Sequence, residues 1–213
     1  MAARATPGAR SAVEGAAGAP DAVLFATYGT TREGELARAI DPVADALARA
    51  FPGSRVARAY TSAKVLKAIS ARGCGTARVP SVAQALDGLA SAGARTVLVQ
   101  PGHVVDGIAF GAVRGAVAAA RRDGRFDRIA LGAPLLSSTG DIVAIADALS
   151  SHFPYGEGRA VVLMGHGADM TAGMPYAALG YRLHELGRDD IVVGAMHGYP
   201  GFEAASNLLA RHA

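Results

Sequence analysis

The chain has 213 residues, enough for one sizeable α/β domain or for two small, closely packed lobes. Its net charge is only +3, and Lys and Arg are spread along the sequence without a dense run, so we expect no nucleic-acid partner. No stretch approaches the roughly 20 uninterrupted apolar residues that a transmembrane helix needs, so we expect no membrane partner.

The N-terminal composition and the single cysteine bear on the compartment. Residues 1–20 are rich in Ala, Gly, Arg and Pro and lack the apolar segment of a secretory signal, so we interpret them as a disordered N-terminal segment. Cys74 is the only cysteine and cannot form an internal disulfide. A reducing compartment fits this composition, and we expect a cytoplasmic protein.

Short β-branched runs alternate with Ala-rich helical patterns along the first two thirds of the chain. In chain order, the periodicity predicts a strand at 22–28, a helix at 33–51, a strand at 55–60, helices at 63–71 and 82–92, a strand at 96–100, a helix at 108–122, a strand at 128–133 and a helix at 141–152. This alternation is typical of parallel βαβ units in an open, doubly wound sheet.

The pattern then restarts, with strands at 160–164 and 191–196 and helices at 171–186 and 202–211. AVLFATYGTT near the start and AVVLMGHGAD after residue 159 share one layout, which is an apolar strand, a glycine turn and a helix. We therefore predict two similar α/β lobes, at residues 21–138 and 139–213, hinged near 135–141.

The second lobe is expected to lack the last strand that the first lobe has, because the sequence stops after a helix. The lobe is then either closed differently or shortened. The strand that ends at Met196 would become an exposed sheet edge, which favours pairing with another chain. We therefore expect a homo-oligomer.

Three histidines follow predicted strands, at the edge where open parallel sheets bind ligands. They are His103, His166 and His197. The strands before His166 and His197 belong to one right-handed βαβ unit, and neighbouring strands lie ~4.8 Å apart, so the two imidazoles could converge on one ion. Imidazole is a good ligand for divalent cobalt, nickel or iron. Any one of these histidines taken alone is as readily a hydrogen-bonded structural residue.

Glycines flank the second of these histidines. Gly165 and Gly167 surround His166, and residues without a Cβ let the backbone approach a ligand closely. We therefore include both glycines among the candidate substrate-binding residues.

The turn after the first strand is the second candidate binding element. It consists of Tyr28, Gly29, Thr30 and Thr31, whose free backbone N–H groups and hydroxyls could bind a carboxylate at a helix start. Thr30 and Glu33 also have the spacing of a capping box, so a plain helix cap is the alternative.

Motifs for nucleotide chemistry are missing from the sequence. No G-x-G-x-x-G follows a predicted strand, and no G-x-x-x-x-G-K-[ST] occurs, so neither a dinucleotide nor a P-loop site is predicted. No G-x-S-x-G nucleophile elbow occurs either. We expect no nucleotide cofactor.

Six segments resemble the sirohydrochlorin cobaltochelatases of the anaerobic pathway, class II tetrapyrrole chelatases related in fold to ferrochelatase. In the family's order over residues 21–203, they are LFATYGTT, FPGSRVARAYTS, TVLVQPGHVVDG, LGAPLL, VVLMGHGADM and VVGAMHGYPGF. The LMGHG segment followed by a VGxxxGYP segment is fairly specific to the family.

The resemblance implies a two-lobed enzyme that holds its tetrapyrrole in a cleft and inserts a metal without a nucleotide. The histidine that matches His166 is a metal ligand in such enzymes and a candidate base for the pyrrole protons. Cobalt is the metal that the resemblance implies, and nickel and iron share its ligand preferences. The implied pathway is anaerobic cobalamin biosynthesis.

Two departures from the family pattern keep a second function open. The family has glutamate before Gly-Tyr-Pro, where this chain has His197, and its remaining histidine ligand follows a final strand that has no match here. Histidine still binds metals, but it contributes no negative charge when neutral. The alternative is a non-catalytic tetrapyrrole- or metal-binding protein built on the same scaffold.

Overall fold

The computed structural model describes residues 18–71, 79–156, 158–168 and 170–210. Most of the predicted N-terminal segment, and Cys74, lie outside these residues. The described strands are β1 Ala22–Thr27, β2 Arg55–Tyr60, β3 Thr96–Pro101, β4 Arg128–Leu131, β5 Val161–Gly167 and β6 Ile191–His197. The described helices are α1 Glu33–Glu35, α2 Asp41–Ala50, α3 Ala63–Ala71, α4 Val82–Ser91, α5 Ile108–Arg122, α6 Thr139–His152, α7 Met174–Glu185 and α8 Phe202–Ala210. Across these ranges, every helix is too short or too polar to span a bilayer.

The strands form two parallel sheets. Sheet A has the order β2-β1-β3-β4, and sheet B consists of β5 beside β6. In each sheet the first strand of the lobe pairs in parallel with the strand that follows it through a helical connection, the arrangement of a βαβ unit. The predicted α/β class with parallel sheets is confirmed.

The described residues group into two compact units. The first contains residues up to His103 together with Ile108–Pro134, and the second contains Val104–Gly107 together with residues from Leu135 onward. Sheet A belongs to the first unit and sheet B to the second. The predicted boundary, between residues 138 and 139, lies slightly further along the chain than the division between Pro134 and Leu135. The sequence pattern also placed the short Val104–Gly107 loop in the first lobe.

The core of the first unit covers both faces of sheet A. All six residues of β1 are buried, because strands flank β1 on both sides and helices cover both faces. Leu24 packs in a cluster with Leu86 of α4 and Val113 of α5, and Phe25 packs on the other face in a cluster with Ile40. Each fully buried apolar side chain of this size contributes roughly 1.5–3 kcal/mol to stability.

The core of the second unit lies mainly on one face of sheet B. Ile191 and Val193 of β6 pack in a cluster with Leu183 of α7. On the other face of β5, Val162 is 43% exposed and Met164 is 39% exposed. Among the described residues, sheet B therefore has two strands, and one apolar face of β5 is exposed.

Prolines interrupt two of the predicted helices. The helix expected at 33–51 contains a π-helical segment, Leu36–Ile40, and resumes as α2 with Pro42 in its first turn. The helix expected at 171–186 begins with a 3₁₀ turn, Met170–Gly173, and resumes as α7 with Pro175 in its first turn. Proline has no backbone N–H for the i→i−4 ladder, so a helix restarts at it more easily than it continues through it.

Candidate functional site

The structure brings His166 and His197 together at the carboxyl end of sheet B. β5 continues to Gly167 and β6 continues to His197. Each histidine is therefore one of the last two residues of its strand and does not follow the strand. The two strands pair in parallel, and Gly167 is in register with His197. The centroids of the two imidazole rings lie 5.2 Å apart, with the rings at 78° to one another. Both residues are exposed, so both imidazoles are accessible to a ligand from solvent.

Glycine at position 167 allows this close pairing. Gly167 has a φ of 85°, and a Cβ at this position would lie 1.8 Å from the carbonyl oxygen of His197. Any other residue would push the two strand ends apart. The next turn has the same requirement, since Gly198 has a φ of 82° and a Cβ there would lie 2.5 Å from the carbonyl oxygen of Ala168.

Gly165, the other glycine next to His166, leaves room for a side chain of the same unit. A Cβ at Gly165 would lie 2.5 Å from the ring of Tyr176, a buried residue of α7. The packing within the second unit thus accounts for both glycines that flank His166. Direct contact of Gly165 and Gly167 with a substrate stays a prediction.

The Gly-Tyr-Pro segment folds back on the end of β6. The N–H of Ala195 donates to the carbonyl oxygen of Pro200 at 2.7 Å, and the Tyr199–Pro200 peptide bond is cis. This contact occupies the outer edge of β6 next to His197. It holds the strand end that carries the second imidazole.

The chemistry of the pair suits a transient metal site. Within the described ranges, no group of three or more His, Cys, Asp and Glu side chains is close enough together to hold an ion. Two neutral imidazoles bind a divalent transition metal and leave most of its coordination positions open. Such a site can pass an ion to a second set of ligands more easily than a closed four-ligand site can.

The polar turn after β1 lies in the first unit. Gly29 has a φ of 93°, and a Cβ there would lie 2.5 Å from the ring of Tyr60, so the sharp turn and the packing both require glycine. Tyr28 is 54% exposed. Thr30 accepts a hydrogen bond from the Arg32 N–H at 3.1 Å and donates one to Glu35 at 2.7 Å.

The capping box between Thr30 and Glu33, which the spacing left open as the alternative, is not formed. Helix α1 begins at Glu33 with Arg32 as its N-cap, and Arg32 makes no side-chain cap hydrogen bond. Thr30 lies two residues before the N-cap, so its hydroxyl binds Glu35 instead. Thr31, the last residue of the predicted carboxylate-binding turn, also has interactions of its own within the protein. Binding of a substrate carboxylate by Tyr28, Gly29, Thr30 and Thr31 stays a prediction.

His103 is a buried residue of the first unit, at the end of β3. Its Nε2 lies 3.2 Å from the Thr61 hydroxyl, which can itself donate to the Thr27 carbonyl oxygen at 3.4 Å. If Thr61 donates to Thr27, then His103 donates through Nε2, and its buried Nδ1 is an acceptor without a partner among the described residues. Burial lowers the pKa of His103, so its imidazole stays neutral near pH 7.

Sequence reasoning missed two residues that contact the candidate site residues. Thr61 follows β2 directly, so the rule that selected the strand-end histidines could have found it. Tyr176 carries no such signal, because its contact with Gly165 depends on how α7 is rotated after the 3₁₀ turn.

Known proteins are similar to the chain over most of its length. The profile of the family described as cobalt chelatase (CbiK) matches residues 21–212. The sirohydrochlorin cobaltochelatase CbiKC of Nitratidesulfovibrio vulgaris is 35% identical over 161 residues, which cover 74% of this chain and 55% of that relative. The sirohydrochlorin cobaltochelatase of Salmonella typhimurium is 32% identical over 180 residues, which cover 84% of this chain and 66% of that relative. The chain thus matches between about half and two thirds of the length of these relatives.

The matched region contains every element that carries a candidate residue. It includes the turn after β1, the end of β3 with His103, and the adjoining ends of β5 and β6 with His166 and His197. The predicted resemblance is confirmed by the family profile and by both relatives, and the chain belongs to the cobalt chelatase (CbiK) family.

Proposed function

We propose that the protein inserts a divalent metal ion, cobalt before nickel or iron, into sirohydrochlorin. The observation that carries this proposal is the pair of exposed imidazoles, His166 and His197, with ring centroids 5.2 Å apart at adjoining strand ends. The two relatives named as sirohydrochlorin cobaltochelatases support the same reaction. Cobalt and the tetrapyrrole are both substrates in this proposal, and no nucleotide takes part.

In the proposed reaction the two imidazoles hold the incoming ion. The ring nitrogens of the tetrapyrrole take up the open coordination positions, and two pyrrole N–H protons leave as the ion enters, so one doubly charged cation replaces two protons. An imidazole that has released the ion to the ring nitrogens is free to accept one of these protons, and His166 is our candidate for this role, while the other proton leaves to water. The turn Tyr28, Gly29, Thr30 and Thr31, together with His103, is proposed to bind the tetrapyrrole's periphery.

The proposed setting is anaerobic cobalamin biosynthesis in the cytoplasm. Both relatives are named for sirohydrochlorin and cobalt, and the resemblance of the sequence to the chelatases of the anaerobic pathway supports this setting. The single cysteine of the sequence supports a reducing compartment.

The test compares three variants in a metal-insertion assay. The full chain is mixed with sirohydrochlorin and Co²⁺ without oxygen, and the absorbance of the metallated ring is followed against the uncatalysed reaction. We expect His166→Ala to lower the catalysed rate by at least about a hundredfold, since it removes a ligand and a base. His197→Ala should also lower it. His152→Ala, a change at an exposed histidine at the end of α6, should match the unchanged protein. A rate equal to the uncatalysed one in the unchanged protein would overturn the proposal.

The second candidate function is a non-catalytic carrier for the metal or the tetrapyrrole. The observation that favours it is that the site has only two histidines among the described residues. Within the same ranges, no third His, Cys, Asp or Glu side chain lies close enough to complete a metal site with them. Binding of sirohydrochlorin or Co²⁺ without any rate enhancement in the same assay would favour the carrier over the enzyme.

We further propose that the protein self-associates through sheet B. The sequence pattern suggested the edge of β6, but that edge is partly occupied, because the N–H groups of Ile191 and Ala195 donate to Arg188 and Pro200. The other edge of sheet B is formed by β5, and within the described part of the chain no strand pairs with β5 on that side. A second copy paired there would continue the sheet, so we place the contact on β5.

A further inference from the structure

Tyr176 lies beneath the segment that carries His166. It belongs to the first turn of α7, immediately after Pro175, and its side chain is buried in the core of the second unit with Leu179 and Leu183. The 3₁₀ turn that precedes α7 fixes where this first turn begins. The aromatic ring is therefore held by the core on one side and faces β5 on the other.

The ring and hydroxyl of Tyr176 lie against the backbone that carries His166. A Cβ at Gly165 would lie 2.5 Å from Cε1, 2.7 Å from Cζ and 2.8 Å from the hydroxyl oxygen of Tyr176, so the phenol occupies the space of the missing side chain. Burial raises the pKa of Tyr176, and the nearby backbone N–H of Gly167 partly offsets that rise. One buried side chain thus lies against the residue before His166, and its hydroxyl lies near the backbone N–H of the residue after it.

His166 needs such support because its own surroundings provide little. A histidine that binds a metal usually has its other ring nitrogen held by a carboxylate or carbonyl group, which fixes the ring's orientation. Within the described residues, the His166 imidazole lies beside the His197 ring, and no hydrogen bond from it to a carboxylate or carbonyl oxygen accompanies this contact. Glycines on both sides also give the backbone more freedom than other residues would.

We propose that Tyr176 is a positioning residue that holds the Gly165–Gly167 backbone so that the His166 imidazole faces His197. This inference rests on the proposed function in one respect, which is that the positioned pair of histidines binds a metal ion. The position of the imidazole itself can be measured without metal or tetrapyrrole.

The test measures the distance between the two imidazoles in the full chain by NMR. In the metal-free protein we expect a nuclear Overhauser effect between the ring protons of His166 and His197, because their centroids lie 5.2 Å apart. Tyr176→Phe keeps the ring and removes the hydroxyl, and should weaken this effect. Tyr181→Phe is the matched control, since Tyr181 is on the same helix and is 65% exposed, and it should leave the effect unchanged.

Metal affinity gives the second readout. We expect Tyr176→Phe to weaken Co²⁺ binding roughly tenfold, the lower end of the range for changes in residues that orient metal ligands. Gly165→Ala provides an independent variant, because its methyl group would displace the same phenol, and it should weaken both the ring–ring effect and Co²⁺ binding. Thermal unfolding of each variant shows whether the chain is folded.

The outcomes separate this inference from the proposed function. Folded Tyr176→Phe and Gly165→Ala variants with the unchanged protein's ring–ring effect would overturn the positioning role, whatever the assay of metal insertion shows. A ring–ring effect that is lost in these variants and kept in Tyr181→Phe supports it. If the unchanged protein shows the ring–ring effect but binds no Co²⁺, the positioning role stands and the proposed metal site fails.

Discussion

At the scale of single residues, the two candidate ligands are both exposed imidazoles at adjoining strand ends. An imidazole brings no negative charge to an incoming cation, whereas the glutamate that the resemblance leads us to expect in place of His197 would bring one. A pair of this kind binds an ion weakly, and a chelatase has to release its ion to the tetrapyrrole. In the proposed reaction, a pair of ligands without negative charge would favour release of the ion to the tetrapyrrole.

The buried histidine of the first unit leads to a prediction about stability and pH. Burial lowers the pKa of His103 below the 6.5 of an unfolded chain, so the unfolded state takes up the proton first as the pH falls. The contribution of the neutral imidazole is fully present above about pH 6.5 and is lost as the pH falls from there toward the lowered pKa of the folded state. Each unit by which the pKa is lowered corresponds to about 1.4 kcal/mol.

We therefore expect His103→Gln to flatten the change in the free energy of unfolding between pH 7.5 and pH 5.5. Urea unfolding at several pH values measures this slope. His152→Gln is the control, because His152 is exposed, and it should keep the slope of the unchanged protein. Equal slopes in the unchanged protein and in His103→Gln would show that His103 is not kept neutral by folding.

At the scale of helices and strands, the glycine at the end of β5 sets how closely the two strand ends approach. The prediction compares Gly167→Ala with Gly187→Ala. Gly187 also has a positive φ, 70°, but a Cβ there would have no atom within 4 Å, so its substitution costs only the backbone strain of roughly 1–2 kcal/mol. Gly167→Ala adds a clash with the carbonyl oxygen of His197.

We expect Gly167→Ala to lower the free energy of unfolding by more than Gly187→Ala does, and to weaken Co²⁺ binding as well. Urea unfolding and calorimetric titration with Co²⁺ measure the two effects. Gly187→Ala should leave Co²⁺ binding unchanged, since its turn follows α7 at the far end from the histidines. Similar losses in both variants would mean that strain alone, and not the approach of the strand ends, makes Gly167 necessary.

The strands and most helices could be predicted because their signals are local. An apolar run such as AVLFAT is buried on both faces and is visible in the sequence, and so is the strand-end position of His166 and His197. The π-helical segment before Pro42 and the 3₁₀ turn before Pro175 were missed, because apolar periodicity continues across both prolines. The contact of Tyr176 with Gly165 could not be predicted, since it depends on the rotation and packing of α7 in three dimensions.

At the scale of the whole molecule, the two sheets differ in how well their first strands are enclosed. β1 has a strand on each side and helices on both faces, so all six of its residues are buried. β5 occupies the corresponding place in its lobe, yet Val162 and Met164 are exposed and only β6 pairs with it among the described residues. The sequence of β5, VVLMGHG, has no charged residue and no proline, which are the usual means of protecting a strand edge.

The register shows which backbone groups this edge offers. The N–H of Val161 donates to the carbonyl oxygen of Asp190, so the odd-numbered residues of β5 bond to β6. The backbone groups of Val162, Met164 and His166 therefore point to the open side. An antiparallel pair of β5 strands from two copies would place Met164 opposite Met164 of the second copy, and every outward group of this stretch would find a partner.

Val162→Pro tests this mode of self-association, because it removes an outward N–H without removing a hydrogen bond between β5 and β6. We expect the unchanged protein to form a dimer that strengthens with concentration in light scattering, and Val162→Pro to remain a monomer. Val162→Thr keeps both the N–H and the side-chain shape and should dimerise like the unchanged protein. Thermal unfolding checks that Val162→Pro is folded. A monomeric unchanged protein at high concentration, or a Val162→Pro dimer as strong as that of Val162→Thr, would show that the β5 edge does not join two copies.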